Sequence, residues 1–162
     1  MEKNLNVFVV ACKEYNKESN SIIGIYNKVE IESNRMDLCV LTGINYVKSS
    51  DAKSGFVLDY YLKCLEDKDG SGQEGKKIPL YALSGSLRSE SQGVEYTANT
   101  AIFSEEKNIS IPCSGKYELQ VFLVKESMIK ENDAKERYKT YQDEKQLPQA
   151  AFRFEIVKEI VA

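Results

Sequence analysis

Few side chains in this chain could do chemistry. Its 162 residues include no histidine, which removes Ser-His-Asp and Cys-His nucleophile systems, His-Glu-x-x-His zinc hydrolases and histidine-based phosphoryl transfer. Carboxylate pairs and lysine-based chemistry remain. Asp59 and Glu95 lie in strand-like segments on the side away from the expected core, but nothing in their spacing sets them at the separation of a glycosidase pair. They read as solvated face residues, and a carboxylate-dependent hydrolase is the remote reading. The serines of Arg88-Ser89-Glu90-Ser91-Gln92-Gly93 have neither a Gly-x-Ser-x-Gly elbow nor a base, so they read as loop serines. No catalytic residue is assigned.

Metal and cofactor chemistry finds equally little to stand on. Cys12, Cys39, Cys64 and Cys113 are far apart, form no Cys-x-x-Cys, and have no histidine to complete a common zinc site. Three of the four sit among strand-like apolar residues, so small buried thiols are expected rather than disulfides. Asp67, Asp69 and Ser71 occupy the first, third and fifth positions of a calcium loop with Gly72 at the sixth. The twelfth position is Ile78 and no helices flank the segment, so Glu66-Asp67-Lys68-Asp69-Gly70-Ser71-Gly72 reads as a hairpin tip. No metal ligand or cofactor is expected.

Composition sets the class. A chain of this length can bury one core unaided, and one domain over residues 1–162 is expected. The apolar fraction of 42% and charged fraction of 29% are those of a globular protein. A formal charge of −3 argues against general nucleic-acid binding, which needs clustered Lys and Arg. No apolar run approaches the roughly 20 residues that span a bilayer, and the apolar stretch after Met1 is too short for a secretory signal. The expected location is cytoplasmic.

The elements that would position any site are strands. Leu5 to Cys12 is a buried strand candidate. Ile22 to Ile31 returns as its hairpin partner, with Ile23, Ile25, Val29 and Ile31 on one face. Met36 to Val47 is one bent strand or two short ones broken near Gly43. In Phe56 to Leu65, residues Phe56, Leu58, Tyr60, Leu62 and Cys64 face one way, Asp59 and Lys63 the other. Ile78 to Leu87 follows, and then Val94 to Phe103 as a weak, edge-like strand. The clearest is Gly115 to Val124, with Tyr117, Leu119, Val121 and Leu123 on one face. Ala150 to Val161 closes the chain and is expected to pair beside it. About seven strands with turn signals between them predict an all-β antiparallel sandwich, with a closed barrel as the structural rival.

One segment breaks the pattern. A charged insertion at about 127–148 carries Lys130, Lys135, Arg137, Lys139 and Lys145 against Glu131, Asp133, Glu136, Asp143 and Glu144. Glu131 and Lys135 have the order that supports a helix. Its apolar stripe, mainly Ala134, Tyr138 and Tyr141, is thin, which predicts a surface helix or flexible segment.

Pro112-Cys113-Ser114-Gly115-Lys116-Tyr117-Glu118-Leu119-Gln120-Val121 resembles the approach to the penultimate strand of immunoglobulin-like sandwiches. There a glycine precedes a tyrosine whose hydroxyl bonds back to upstream backbone. The resemblance makes Tyr117 that structural corner and puts Leu119 where an antibody domain has its second cysteine. The inter-sheet disulfide and buried tryptophan are both missing, so the likeness is to the architecture and not to antibody domains. From residue 5 to 124, the succession of strands with the Ile22-Ile23-Gly24-Ile25-Tyr26-Asn27 return and the Asp-Lys-Asp-Gly tip resembles uncharacterised bacterial immunoglobulin-like domains. That implies a bacterial or phage origin and no particular activity.

The expected function is a non-enzymatic binding or scaffolding module, acting on a protein partner or by self-association, with a symmetric homodimer through an open strand as one form. Candidate partner-binding residues are Arg137, Tyr138, Lys139 and Tyr141. The alternative is a small-ligand binder with a pocket lined by Tyr60, Tyr61, Tyr81 or Tyr96.

Overall fold

The computed structural model describes residues 5–19, 21–52, 55–90, 92–125, 128–129, 133–142 and 146–159. Nine strands and one helix are described: β1 (Leu5–Asn16), β2 (Ser21–Ile25), β3 (Lys28–Ile31), β4 (Arg35–Lys48), β5 (Gly55–Asp67), β6 (Lys77–Ser86), β7 (Tyr96–Ser110), β8 (Gly115–Leu123), α1 (Ala134–Tyr141) and β9 (Ala150–Lys158). The fold is mostly β, in two sheets. Sheet A has the order β2-β1-β4-β7 and sheet B the order β3-β9-β8-β5-β6.

The period-2 pattern explains the layers. On β5, Phe56, Leu58, Tyr60, Leu62 and Cys64 all enter one buried cluster, as do Tyr117, Leu119 and Val121 of β8. Met36, Leu38, Val40, Ile44 and Tyr46 of β4 enter the same cluster from sheet A. One apolar core therefore lies between the two sheets, and its few polar groups pair inside it. The Thr42 and Tyr60 hydroxyls lie 2.5 Å apart.

Several expectations change. The Ile22 to Ile31 return is not one strand but two. Gly24 has a left-handed φ of +68°, which few side chains tolerate, and the chain leaves sheet A after Ile25. Residues 28–31 then pair with β9, in parallel, so the fold is not purely antiparallel. The expected common face is split accordingly. Ile25 is 59% exposed beside β1, while Ile31 is buried in the core. Counting β2 and β3 separately turns the eight strand candidates into nine strands, against about seven expected. β4 runs unbroken past Gly43. The missing side chain there is covered by the ring of its cross-strand partner Phe8, which a Cβ at Gly43 would strike.

Other expectations hold. β7 pairs with β4 and stands at the edge of sheet A. β9 pairs with β8. All four cysteines are free and buried. Of the charged insertion, Lys130, Glu131, Asp143, Glu144 and Lys145 lie outside the described residues, as do Ile160 to Ala162 beyond the last strand.

Candidate interaction surface

The outer faces of the two sheets are treated differently. On sheet B the aromatic part of the outer face, Tyr61 and Phe122, is covered by α1. Asp133 caps this helix by accepting from the Glu136 amide at 3.0 Å, an N-cap bond that fixes where the helix begins. Its inner side then docks. Tyr141 is 2% exposed, stacks on Phe122 with ring centroids 4.5 Å apart, and meets Tyr61 edge-on at 5.7 Å. The Tyr138 hydroxyl donates to the Lys77 carbonyl at 2.8 Å. Lys77 donates its ammonium to the Tyr141 carbonyl and lies 4.7 Å from the Phe122 ring centroid.

The polar anchor of this contact is an ion pair. The Arg137 guanidinium donates to Asp59 through Nε at 2.7 Å and Nη2 at 3.2 Å. Asp59 is 5% exposed, so the expectation of a solvated face residue is overturned. An acid in mid-strand becomes tolerable here because a bidentate partner satisfies it. The hydrogen bond to Asp59 raises the Arg137 pKa above its ordinary value. Burial pushes the Tyr141 hydroxyl up to about 12, and the nearby Asp59 charge adds to that.

Of the four proposed partner-binding residues, Arg137, Tyr138 and Tyr141 are therefore turned onto sheet B, and Lys139 is exposed. The segment is a surface helix over Ala134–Tyr141, and its thin aromatic stripe is what docks it on sheet B. The missed cue lies on the other side of the contact, where Tyr61 and Phe122 are aromatic on a strand face that alternation marks as solvent-facing. Two large apolar residues there require a cover.

Of the tyrosines expected around a ligand pocket, two come together and two lie apart. Tyr60 and Tyr81 stack on each other at 4.5 Å inside the molecule, Tyr61 lies under α1, and Tyr96 stands exposed at the start of β7. The hairpin tip is closed by its own backbone. Asp67 accepts from the amides of Asp69, Ser71 and Gln73, each at 2.9 Å, and from the Ser71 hydroxyl at 2.8 Å. Asp69 accepts from the Ser114 amide at 2.8 Å. These bonds fold the tip onto its own backbone, as a hairpin tip does. The Tyr117 hydroxyl donates to the Cys113 carbonyl at 2.7 Å, tying the start of β8 to the chain just before it.

The outer face of sheet A has no such cover among the described residues. Phe8 is 59% exposed there, and the register lines up Val10 with Leu41, Leu41 with Phe103, and Gly43 with Ala101. Tyr15 stacks on Phe103 at 4.9 Å and closes one end of the patch. At its margin runs β7. From Tyr96 to Ser104 this strand carries no charge, no proline and no glycine, and no described strand bonds to its far side. Charges begin only at Glu105. Natural edge strands are usually blunted by charge, proline or a bulge, and nine residues of this one are not.

No family model matches the chain, and no curated protein matches it. Among solved structures, the chain is similar to part of the β-glucosidase from Kluyveromyces marxianus in complex with glucose. That likeness has 12% identity and a TM-score of 0.45, over 98% of this chain and 14% of that one. It is also similar to part of the Pseudomonas fluorescens alkylpurine DNA glycosylase AlkC bound to DNA containing an abasic site analog. There the identity is 12% and the TM-score 0.44, over 96% of this chain and 31% of that one. The chain thus spans a small fraction of either protein's length.

Proposed function

We propose that this chain is a non-catalytic binding module of immunoglobulin-like sandwich architecture that self-associates through the open edge of β7. The observation that carries the reading is the uncharged Tyr96–Ser104 edge beside an apolar face that none of the described residues covers, on a molecule whose helix covers the aromatic part of the opposite face. A second copy is the occupant that this edge fits best. The stretch is symmetric in its demands: an antiparallel pair centred on Thr100 sets Phe103 against Thr97 and Ala101 against Asn99 on the outer face, with no charge inside Tyr96–Ser104, and brings Glu105 beside Glu95 just past its ends. Such a contact closes on a two-fold axis and leaves no further open edge at that site.

Support for the architecture comes from topology. With β4, β5, β6, β7, β8 and β9 taken as strands B, C, C′, E, F and G, the observed neighbours are B-E and G-F-C-C′, the pairing expected of such sandwiches. Tyr117 stands at the start of the strand equivalent to F with its hydroxyl on upstream backbone. A cytoplasmic location goes with this reading, since a reducing compartment keeps free thiols such as these four.

Hydrogen exchange tests the contact. Amides of Tyr96–Ser104 should gain protection as protein concentration rises, while those of β6, the edge of sheet B, should not. Protection independent of concentration would contradict self-pairing of β7.

A further inference from the structure

Cys64 and Cys113 are 49 residues apart in sequence, yet their sulfurs lie 3.7 Å from each other. Both are buried, at 2% and 0% exposure. Their surroundings hold them there. Cys64 is fixed in β5 by its amide on the Lys76 carbonyl at 2.9 Å and its carbonyl on the Gly75 amide at 2.7 Å. Cys113 is held by the Tyr117 hydroxyl, which bonds its carbonyl and lies 3.3 Å from its sulfur. The Cα of Tyr117 is itself the register partner of Cys64, so β5, β8 and the turn before β8 converge on the two thiols.

Cys12 and Cys39 are buried register partners across β1 and β4. Cys64 also lines a groove of about 390 Å³ bounded by Lys76, Ile78, Pro79, Pro112 and Tyr138. Lys76, at its rim, is exposed and supplies positive charge for an anionic ligand. Cys113 is not among the residues that bound this groove.

We infer that Cys64 and Cys113 form a preorganised dithiol that closes to a disulfide by exchange with a small carboxylate-bearing disulfide admitted through this groove. In the first step the Cys64 thiolate attacks one sulfur of the oxidant, forming a mixed disulfide and expelling one thiolate. In the second the Cys113 thiolate attacks the Cys64 sulfur, forming the internal bond and expelling the other thiolate. The two protons given up by the protein thiols go to the two leaving thiolates, so the oxidant is reduced to two thiols as the dithiol is oxidised. Contact at 3.7 Å must shorten to about 2.05 Å for the bond to form. Burial raises the Cys64 thiol above its ordinary pKa, and the neighbouring Cys113 adds to this. Because the thiolate is the nucleophile, exchange through the groove is slow and quickens as pH rises.

The test uses the whole chain and oxidised glutathione as the probe. After incubation, an acid quench and alkylation in denaturant, peptide mapping should show Cys12 and Cys39 alkylated and Cys64 joined to Cys113. The closed form should melt about 10 °C higher than the reduced one, as expected for a link across a loop of this size. In Cys113→Ser a glutathione adduct should accumulate on Cys64; in Cys64→Ser no adduct should appear on Cys113. Four alkylated cysteines in the wild type, a bond involving Cys12 or Cys39, or an adduct on Cys113 would overturn the assignment. The wild-type map needs no substitution, so the inference stays testable if either variant folds poorly.

Discussion

Arg137 and Asp59, 78 residues apart, meet in a two-bond ion pair beneath α1, with side chains only 13% and 7% exposed. Removing one member strands the other. Arg137→Ala should destabilise the protein by about 3 kcal/mol, because a buried carboxylate then lacks its counter-charge. Replacing both residues, as Asp59→Leu with Arg137→Met, should recover much of that loss. Urea unfolding of the two variants checks the comparison, and equal losses would mean that the pair is not what holds α1 down.

Tyr141 anchors the same helix by its ring. Tyr141→Ala should cost about 3 kcal/mol through the cavity left against Phe122 and Tyr61. Its hydroxyl is buried with no hydrogen-bond partner among the described residues, so Tyr141→Phe should be neutral or slightly stabilising. Thermal melts of the two variants separate the ring from the hydroxyl.

Tyr117→Phe keeps the packing of β8 but leaves the Cys113 carbonyl without its donor. A loss of about 1–3 kcal/mol is expected for a buried acceptor left unsatisfied. Denaturant midpoints with an unchanged slope would show that stability, rather than the compactness of either state, has changed.

The Asp67 carboxyl should titrate at about 2, held down first by the Gln73 amide, against the opposing effect of desolvation, and then by the Ser71 hydroxyl and the Asp69 amide. The unfolded carboxyl titrates near ~4. Because the folded value is the lower one, its contribution to stability is present in full above the unfolded value and disappears as pH falls through about 2. Carbon-detected titration of the carboxylate gives the midpoint directly. Asp67→Asn should reduce the difference in stability between pH 6 and pH 3.

Much of the fold can be read along the chain because alternation is local. β5 and β8 announce their core faces residue by residue, and the sheet pairing of β8 with β9 follows from their neighbourhood. The division of Ile22–Ile31 between two sheets cannot be read that way, since its alternation suits one long strand equally well. Gly24 was the available sign, as a residue free to take the left-handed turn that the chain uses there. The ion pair was hidden for a different reason. Nothing near Asp59 in sequence compensates its charge, and the residue that does arrives on a helix whose charges, taken alone, look solvated. Aromatic Tyr61 and Phe122 on the supposed solvent face were the legible trace of that cover. The edge character of β7 was visible in its weak, threonine-rich pattern, whereas the apolar patch beside it depends on a register between β1, β4 and β7 that only the folded sheet supplies.

Sedimentation equilibrium across a range of concentrations tests self-association through β7 most directly. The wild-type chain should reach twice its 18.4 kDa mass, and Asn99→Lys combined with Ala101→Lys should weaken the dimer at least about tenfold by setting like charges across the edge. Lys139→Glu, on the exposed side of α1, should leave it unchanged. A wild-type chain that stays monomeric at high concentration, or a dimer indifferent to the two lysines, would contradict the account.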